Sequence, residues 1–443
     1  MCSAISSGGR VEGIQEASLP NLFALNGSDF FQIFLDKHHR KFSAVGNVSR
    51  FSLLLEGTPD ADKLKDRISS DPVLQWMSKL RLRRNLPFQL PAWKIVNSGK
   101  SLELKIHSAE GDTAIPDFLF KKDINPYKSC PLEIDLIQYS NGKAILFFSW
   151  THILMDSHGL ELLVKYLSEE RGAFPLQVMA SQSDELPIVE QLNKAKEVKS
   201  FLLDGKQTHL ETLQEKVVKE AGNAYHVLRF DEAETEKIAA YSKELKIRLG
   251  QSPLFLAASM RCFESMIGKK GNKTQSLWVP IPQDQRRKGA NGPLIGNQVS
   301  YLFYRLFPDH LTSLESTVTE IQKQMMDQMR SSIPKNYNIM MNLARRMPMP
   351  IYSQMAKAPT KGKLSSFFFS DTGALLDGLD HFQGQKPLDA IHYPPNPAVP
   401  GFTIVFSVFQ KKLQVIIAYA KDCMDAELLS SFETALKKEL LPD

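Results

Sequence analysis

His152 and Asp156 stand four residues apart near the end of the stretch 144–159, and His158 follows two places after the aspartate. Imidazole titrates near neutrality, so it is the side chain best suited to take a proton from a hydroxyl or amine. A carboxylate four residues on can fix the imidazole's tautomer directly or can hold the loop that carries it. His152-x-x-x-Asp156-x-His158 also invites a metal ion. No cysteine or further His/Asp/Glu cluster surrounds it, and a helix after Gly159 would send His158 elsewhere, so no metal is expected. A Ser-His-Asp hydrolase would need a Gly-x-Ser-x-Gly elbow, and a nucleotide enzyme would need Walker or Rossmann glycines. None of these patterns occurs.

The spacing alone is common, and its setting gives it meaning. Ala144-Ile-Leu-Phe-Phe-Ser-Trp150 reads as a buried strand, and Leu160-Glu-Leu-Leu-Val-Lys-Tyr-Leu167 as an amphipathic helix. A histidine where a strand gives way to a helix is held rigidly on both sides while the loop faces a cleft.

Thr151-His152-Ile153-Leu154-Met155-Asp156-Ser157-His158-Gly159 resembles the His-His-x-x-x-Asp-Gly signature of the chloramphenicol-acetyltransferase-like acyltransferases. That superfamily includes condensation domains of peptide synthetases, wax ester synthases, and the polyketide-associated and plant HxxxD enzymes. Thr151 stands for the first histidine, and Ser157 follows the aspartate, with Gly159 two places later. The resemblance implies an α+β fold of mixed sheets with flanking helices: two similar halves in a V-shaped pseudo-dimer around a central tunnel. It makes His152 the general base.

Two later blocks extend the likeness. Leu277-Trp-Val-Pro-Ile-Pro-Gln-Asp-Gln-Arg-Arg-Lys-Gly289 and Pro293-Leu-Ile-Gly-Asn-Gln-Val-Ser300 resemble the family's apolar-Pro strand, arginine and Gly-Asn. There the arginine pairs with the motif aspartate; the matching residue is Arg286, with Arg287 beside it. Phe367-Phe-Phe-Ser370-Asp-Thr-Gly373 resembles a strand that ends in serine near the active site. Ser370 is thereby a candidate oxyanion donor, or simply the end of a strand, and Asn297 is a second candidate donor.

Along the rest of the chain, 1–175 reads as a first half that carries the histidine motif, 176–224 as a helical linker and 225–443 as a second half. The opening is Gly/Ser-rich. An early helix runs from Asp29 to about Lys37, a strand spans Val48–Glu56, and a helix starts at Pro59-Asp60. Trp93 follows a proline-rich turn, as it often does in the resembled families. The linker's helical patches are Ile188–Leu203 and Leu210–Lys219; a solvated pair of helices on the first half reads equally well. Ala224–Phe230 is a strand, Asp231 and Glu234 cap the next helix, and Ser252-Pro253 opens another. Residues 332–363, rich in Met, Pro and Lys, read as an irregular excursion whose methionines fill the core, or as a flap or basic approach surface. Phe402–Phe409 and Leu413–Ala420 form a hairpin, with a closing helix from about Asp425.

With 443 residues, 43% apolar and 23% charged content and a net charge of +5, the chain has an ordinary globular composition and no nucleic-acid stripe. Cys2, Cys130, Cys262 and Cys423 lie far apart, which suggests a reducing compartment. No signal peptide or apolar run of spanning length is evident, so a cytoplasmic protein is expected; peripheral membrane contact remains open. No bound cofactor is expected. Acyl-CoA or an acyl-phosphopantetheine carrier protein is the co-substrate that the resemblance implies, with a small alcohol or amine as acceptor. A free-standing chain favours an acyl-CoA-type O-acyltransferase. Its alternatives are a peptide-bond-forming condensation enzyme and a non-catalytic module that binds a carrier protein or acyl chain.

Overall fold

The computed structural model describes residues 19–83, 89–97, 101–111, 113–180, 186–203, 210–216, 218, 222–248, 250–269 and 276–442. In chain order the first half contains β1 (Leu22–Ala24), α1 (Gly27–His39), β2 (Val48–Leu55), α2 (Ala61–Ser70), α3 (Pro72–Ser78), β3 (Leu80–Leu82), β4 (Ala92–Ile95), β5 (Leu104–Ala109), α4 (Asp117–Lys121), β6 (Leu132–Tyr139), β7 (Ala144–Thr151) and α5 (Ser157–Ser168). Then follow α6 (Ile188–Leu203), β8 (Asn223–Arg229), α7 (Glu232–Glu244), α8 (Ser252–Lys269), β9 (Leu277–Asp284), β10 (Val299–Leu306), α9 (Leu314–Arg330), α10 (Ile333–Ala344), α11 (Met349–Lys357), β11 (Phe368–Ala374), β12 (Pro387–Tyr393), β13 (Phe402–Phe409), β14 (Lys412–Ala420) and α12 (Ala426–Leu440). Among the described residues no helix is long and apolar enough to cross a membrane.

Two sheets dominate. One has the order β12-β2-β7-β6-β5, antiparallel except for the parallel β5–β6 pair. The other has the order β11-β13-β14-β8, with β11 parallel to β13. All eight residues of β7 are buried, as a central strand covered on both faces requires. Leu146, Phe148 and Trp150 face a core shared with α1 and α5, while Ile145 and Phe147 face Val405 and Ile416 of the other sheet. A separate core in the second half gathers around Phe255, Phe263, Phe402 and Phe406.

Helix starts follow the sequence closely. Asn26 and Asp29 form a capping box on α1, Asp231 and Glu234 another on α7, and Asp60, Asp71 and Asp425 cap α2, α3 and α12. Gln410 and Lys411 both take positive φ (46° and 65°) to close the β13–β14 hairpin in two residues.

Three expectations need correction. The patch expected to be helical after Leu210 is irregular over 210–216; Val217 and Lys219 lie outside the described residues. Gln214 is pulled instead into tertiary hydrogen bonds: its backbone N–H donates to Pro400 O (3.0 Å), and its Oε1 accepts from Val399 N–H (3.0 Å). The methionine- and proline-rich excursion is helical, forming α10 and α11. Pro334 and Pro350 sit in the first turns and Pro348 at the N-cap of α11, where no intrahelical donor is lost. Ser370 does not end its strand, since β11 continues to Ala374.

Candidate active site

The strand-to-helix junction after β7 is fastened on every side. His152 N–H donates to Asn47 O (2.9 Å), and Trp150 Nε1–H reaches forward to Met155 O (2.9 Å). Asp156 is the N-cap of α5, its Oδ1 accepting from Gly159 N–H (2.8 Å). The second half grips the same loop. Gly296 N–H donates to Leu154 O (2.8 Å), with Gly296 at φ +91°, a conformation that favours glycine. Gly159 is the other glycine required here: a Cβ on it would lie 2.6 Å from Leu294 O.

Arg286, not Arg287, is the partner of Asp156. Its Nη1 lies 2.9 Å from Asp156 Oδ2, with side chains only 1% and 6% exposed. Arg286 also donates to Pro293 O (3.0 Å) and to Asp284 (3.2 Å), whereas Arg287 is exposed. Asp156 Oδ2 accepts in addition from Gln298 N–H (2.8 Å). Both carboxylate oxygens are therefore engaged by the helix N-terminus, Arg286 and Gln298 backbone. Asp156 acts on His152 through its field and the loop, not through the ring.

Asn297 corrects another expectation. Its Nδ2 donates to His152 O (2.9 Å) and to Asp29 Oδ1 (2.9 Å), which leaves the amide no hydrogen to offer an oxyanion. Asp29 also accepts from the backbone N–H groups of Asn297 (2.7 Å) and Asn26 (3.0 Å). Burial pushes its carboxyl up to about 6 against these bonds. The capping box of α1 is thus fused to the Gly-Asn turn of the second half, and the pair holds the backbone of His152. In sequence, Asp29 marked only the start of an early helix.

His152 itself is half-buried. Its Nδ1 is sealed from solvent against its own carbonyl and the Asn297 side chain, without a well-aligned hydrogen bond. Nε2 is the nitrogen left to the adjoining cavity, which His152 lines. Burial lowers the imidazole's pKa below the usual value; its own carbonyl, the Asp156 charge and Asn297 oppose that shift. The ring is a free base at neutral pH. Thr151 lies on the other face of the strand, with Oγ1 buried and unpaired. His158 pairs with Asp284 (3.1 Å), a hydrogen bond that raises its pKa.

The cavity has a volume of about 600 Å³ and is walled by both halves. Phe31 and Leu35 of α1, Trp278 and Phe303 of the β9–β10 hairpin, and Met340 and Met341 of α10 make it largely apolar. Ser370 lines it from β11, half-buried, and its hydroxyl makes no side-chain hydrogen bond among the described residues. Lys196 and Lys199, exposed on α6, line it as well. Three further polar groups on its wall drew no notice in the sequence: Glu161, whose buried carboxyl is pushed up to about 7, Asp371 and His392.

No family model matches the sequence, and no curated relative does. Solved structures do match over almost the whole chain. The trichothecene 15-O-acetyltransferase of Fusarium sporotrichioides is 13% identical over 95% of this chain and 94% of its own, with a TM-score of 0.69. The first condensation domain of the calcium-dependent antibiotic synthetase, solved with a substrate analogue, is 11% identical over 96% and 97%, with a TM-score of 0.68. The epimerization domain from the third module of tyrocidine synthetase B is 14% identical over 97% of both chains, with a TM-score of 0.64. The chain shares its α+β fold with these acetyltransferase, condensation and epimerization structures.

Proposed function

We propose that this protein transfers an acyl group from a thioester donor to a hydroxyl or amine acceptor, with His152 as the general base. The observation that carries this reading is the orientation of His152, with Nδ1 sealed and Nε2 at an apolar cavity closed by both halves. Nε2 takes the proton of the acceptor as its oxygen or nitrogen attacks the thioester carbonyl. The tetrahedral intermediate then expels the thiolate, which receives that proton from His152. No covalent enzyme intermediate forms, and proximity in the cavity supplies much of the rate. Ser370 donates to the developing oxyanion. Asp156 and Arg286 hold the loop, and Asn297 the carbonyl, that orient the base. Lys196 and Lys199 suit a phosphate-bearing donor, acyl-CoA or an acyl carrier protein.

The test is thiol release from acyl-CoAs of short to long chain with mixed alcohols and amines, for wild type and His152→Ala. Acceptor-dependent release in wild type, lost in His152→Ala, is the expected result. Equal behaviour of the two proteins on both CoA and carrier-protein donors would instead assign a binding module.

A further inference from the structure

The β9–β10 hairpin carries the cavity wall away from His152. Asn297 holds the His152 carbonyl, and Val299, Tyr301 and Phe303 follow it on one face of β10, because side chains alternate along a strand. Two residues of strand advance about 7 Å, so Tyr301 and Phe303 stand about 7 and 13 Å beyond Val299. Tyr301 meets Tyr337 of α10 there, ring centroids 5.8 Å apart and planes at 74°, and Tyr337 meets Phe303 at 4.9 Å and 65°. Phe31 of α1 packs edge-on against Tyr301 (5.7 Å), and Tyr352 of α11 joins the same wall. Rings from four separate elements therefore gather on one stretch of the cavity.

The hydroxyls on this stretch need explaining. Those of Tyr301 and Tyr337 make no hydrogen bond among the described residues, and neither is sealed as His152 Nδ1 is; both open onto the cavity that the two residues line. Tyr352 donates to Met341 Sδ (3.4 Å). Burial pushes all three phenols up; the like charge of Tyr337 adds to the effect on Tyr301, and those of Tyr337 and Tyr301 add to that on Tyr352. The three phenols thus stand close together, and each keeps its proton at any working pH. Packing alone does not call for the hydroxyls of Tyr301 and Tyr337, since phenylalanine would make the same ring contacts. An alkyl chain laid against them would strip their water and leave two donors unpaired, whereas a group bearing oxygen would satisfy them. The surrounding rings suit a flat partner, met edge-to-face or offset.

Deepening the acyl-transfer reading, we propose that Tyr301 and Tyr337 form a specificity subsite for a hydroxylated aryl group at the far end of one substrate. The aryl ring packs among the aromatic side chains, and its oxygen accepts from the two phenols. The reacting carbonyl and nucleophile stay at His152, so the tyrosines select and position the substrate without touching the reacting atoms.

The test measures binding by calorimetry to His152→Ala, in which the ligands do not react. The ligands are ω-(hydroxyphenyl)alkanoyl-CoAs of graded chain length, their ω-phenyl analogues, plain alkanoyl-CoAs of equal length, and alcohols with the same tails. In the CoA or the alcohol series, at the fitting length, the hydroxyphenyl tail should bind about tenfold tighter than phenyl, and phenyl tighter than alkyl. Tyr301→Phe and Tyr337→Phe, added together to His152→Ala, should bring the hydroxyphenyl-to-phenyl ratio close to one. They should melt with the parent, because no internal hydrogen bond is lost. With His152 restored, the same pair should raise KM for the hydroxyphenyl substrate about tenfold with kcat little changed. Equal binding of hydroxyphenyl and phenyl tails in both series, or a preference that survives both Phe substitutions, overturns the inference. An alkyl tail that binds as tightly as phenyl overturns the aryl assignment, and lowered melting in the Phe variants assigns the hydroxyls to the fold. A tail preference in binding with no turnover in wild type keeps the subsite and refutes the transfer. Turnover without a tail preference keeps the transfer and refutes the subsite.

Discussion

The Arg286–Asp156 pair can be tested as a unit. Both side chains are almost wholly out of solvent, so removing either partner deprives a buried charge of its closest counter-charge, a loss of about 3–5 kcal/mol, even though Arg286 keeps Asp284 and Asp156 keeps the Gly159 and Gln298 N–H groups. Asp156→Ala also deletes the N-cap of α5, which adds about 1 kcal/mol. We therefore expect Asp156→Ala to cost about 4–6 kcal/mol and Arg286→Met about 3 kcal/mol in urea unfolding. The double variant should cost less than the sum by about 2 kcal/mol. Turnover separates two roles for the aspartate. A carboxylate that fixes a catalytic tautomer directly is worth about 10⁴ in kcat, as serine proteases show. A carboxylate that only holds the loop should be worth about 10²-fold, through misplacement of the base. Here Asp156→Asn and Arg286→Met should lower kcat by similar factors, and the double variant should be no worse than either. Stability effects additive to within about 0.5 kcal/mol would refute the coupling. A loss near 10⁴ in Asp156→Asn with Arg286→Met near wild type would refute the orienting role.

The pH dependence of kcat/KM follows from the lowered His152 pKa: the neutral base is lost as pH falls, so activity should hold through pH 6.5 and decline only below it. An acid limb at or above 6.5 would contradict the buried base. Glu161 gives a stability signature of opposite sense. Its folded pKa is raised from 4.5 to about 7, so its contribution is full below 4.5 and is lost as pH rises through 7. Glu161→Gln retains an acceptor for Leu376 N–H, and should match wild type near pH 4 yet exceed it at pH 8 by about 3 kcal/mol in urea unfolding. Gly159→Ala forces a Cβ against the backbone oxygen of Leu294 and should cost about 1–3 kcal/mol, read as a lower urea midpoint at unchanged slope.

Much of the site was legible because its residues declare themselves locally. The apolar run into His152, the aspartate ahead of an amphipathic helix, and the arginine after a proline-containing strand each depend on near neighbours in sequence. The rest depends on pairings that local pattern does not encode. Asn297 seemed a free amide donor, but its hydrogens are claimed by His152 and by Asp29, which lies 268 positions away. His392 sits in a strand whose partner, β2, is far upstream, so nothing in its own neighbourhood points to the cavity. The stretch of α10 and α11 read as an irregular excursion because a proline in a first helical turn and one in a loop read alike until the helix is seen.

The loan of β12 to the upstream sheet limits how such a chain can be rearranged by recombination. A break between α6 and β8 would not yield two interchangeable modules. The upstream piece would keep β2 but lose its neighbour, turning residues Arg50–Leu55 into a bare sheet edge beside an apolar core. Such an edge invites pairing with other chains. The downstream piece would carry β12, and with it the His392 that stacks on Trp150, with no sheet to join. Grafting either half onto a foreign partner therefore requires moving the exchanged strand with the sheet it completes.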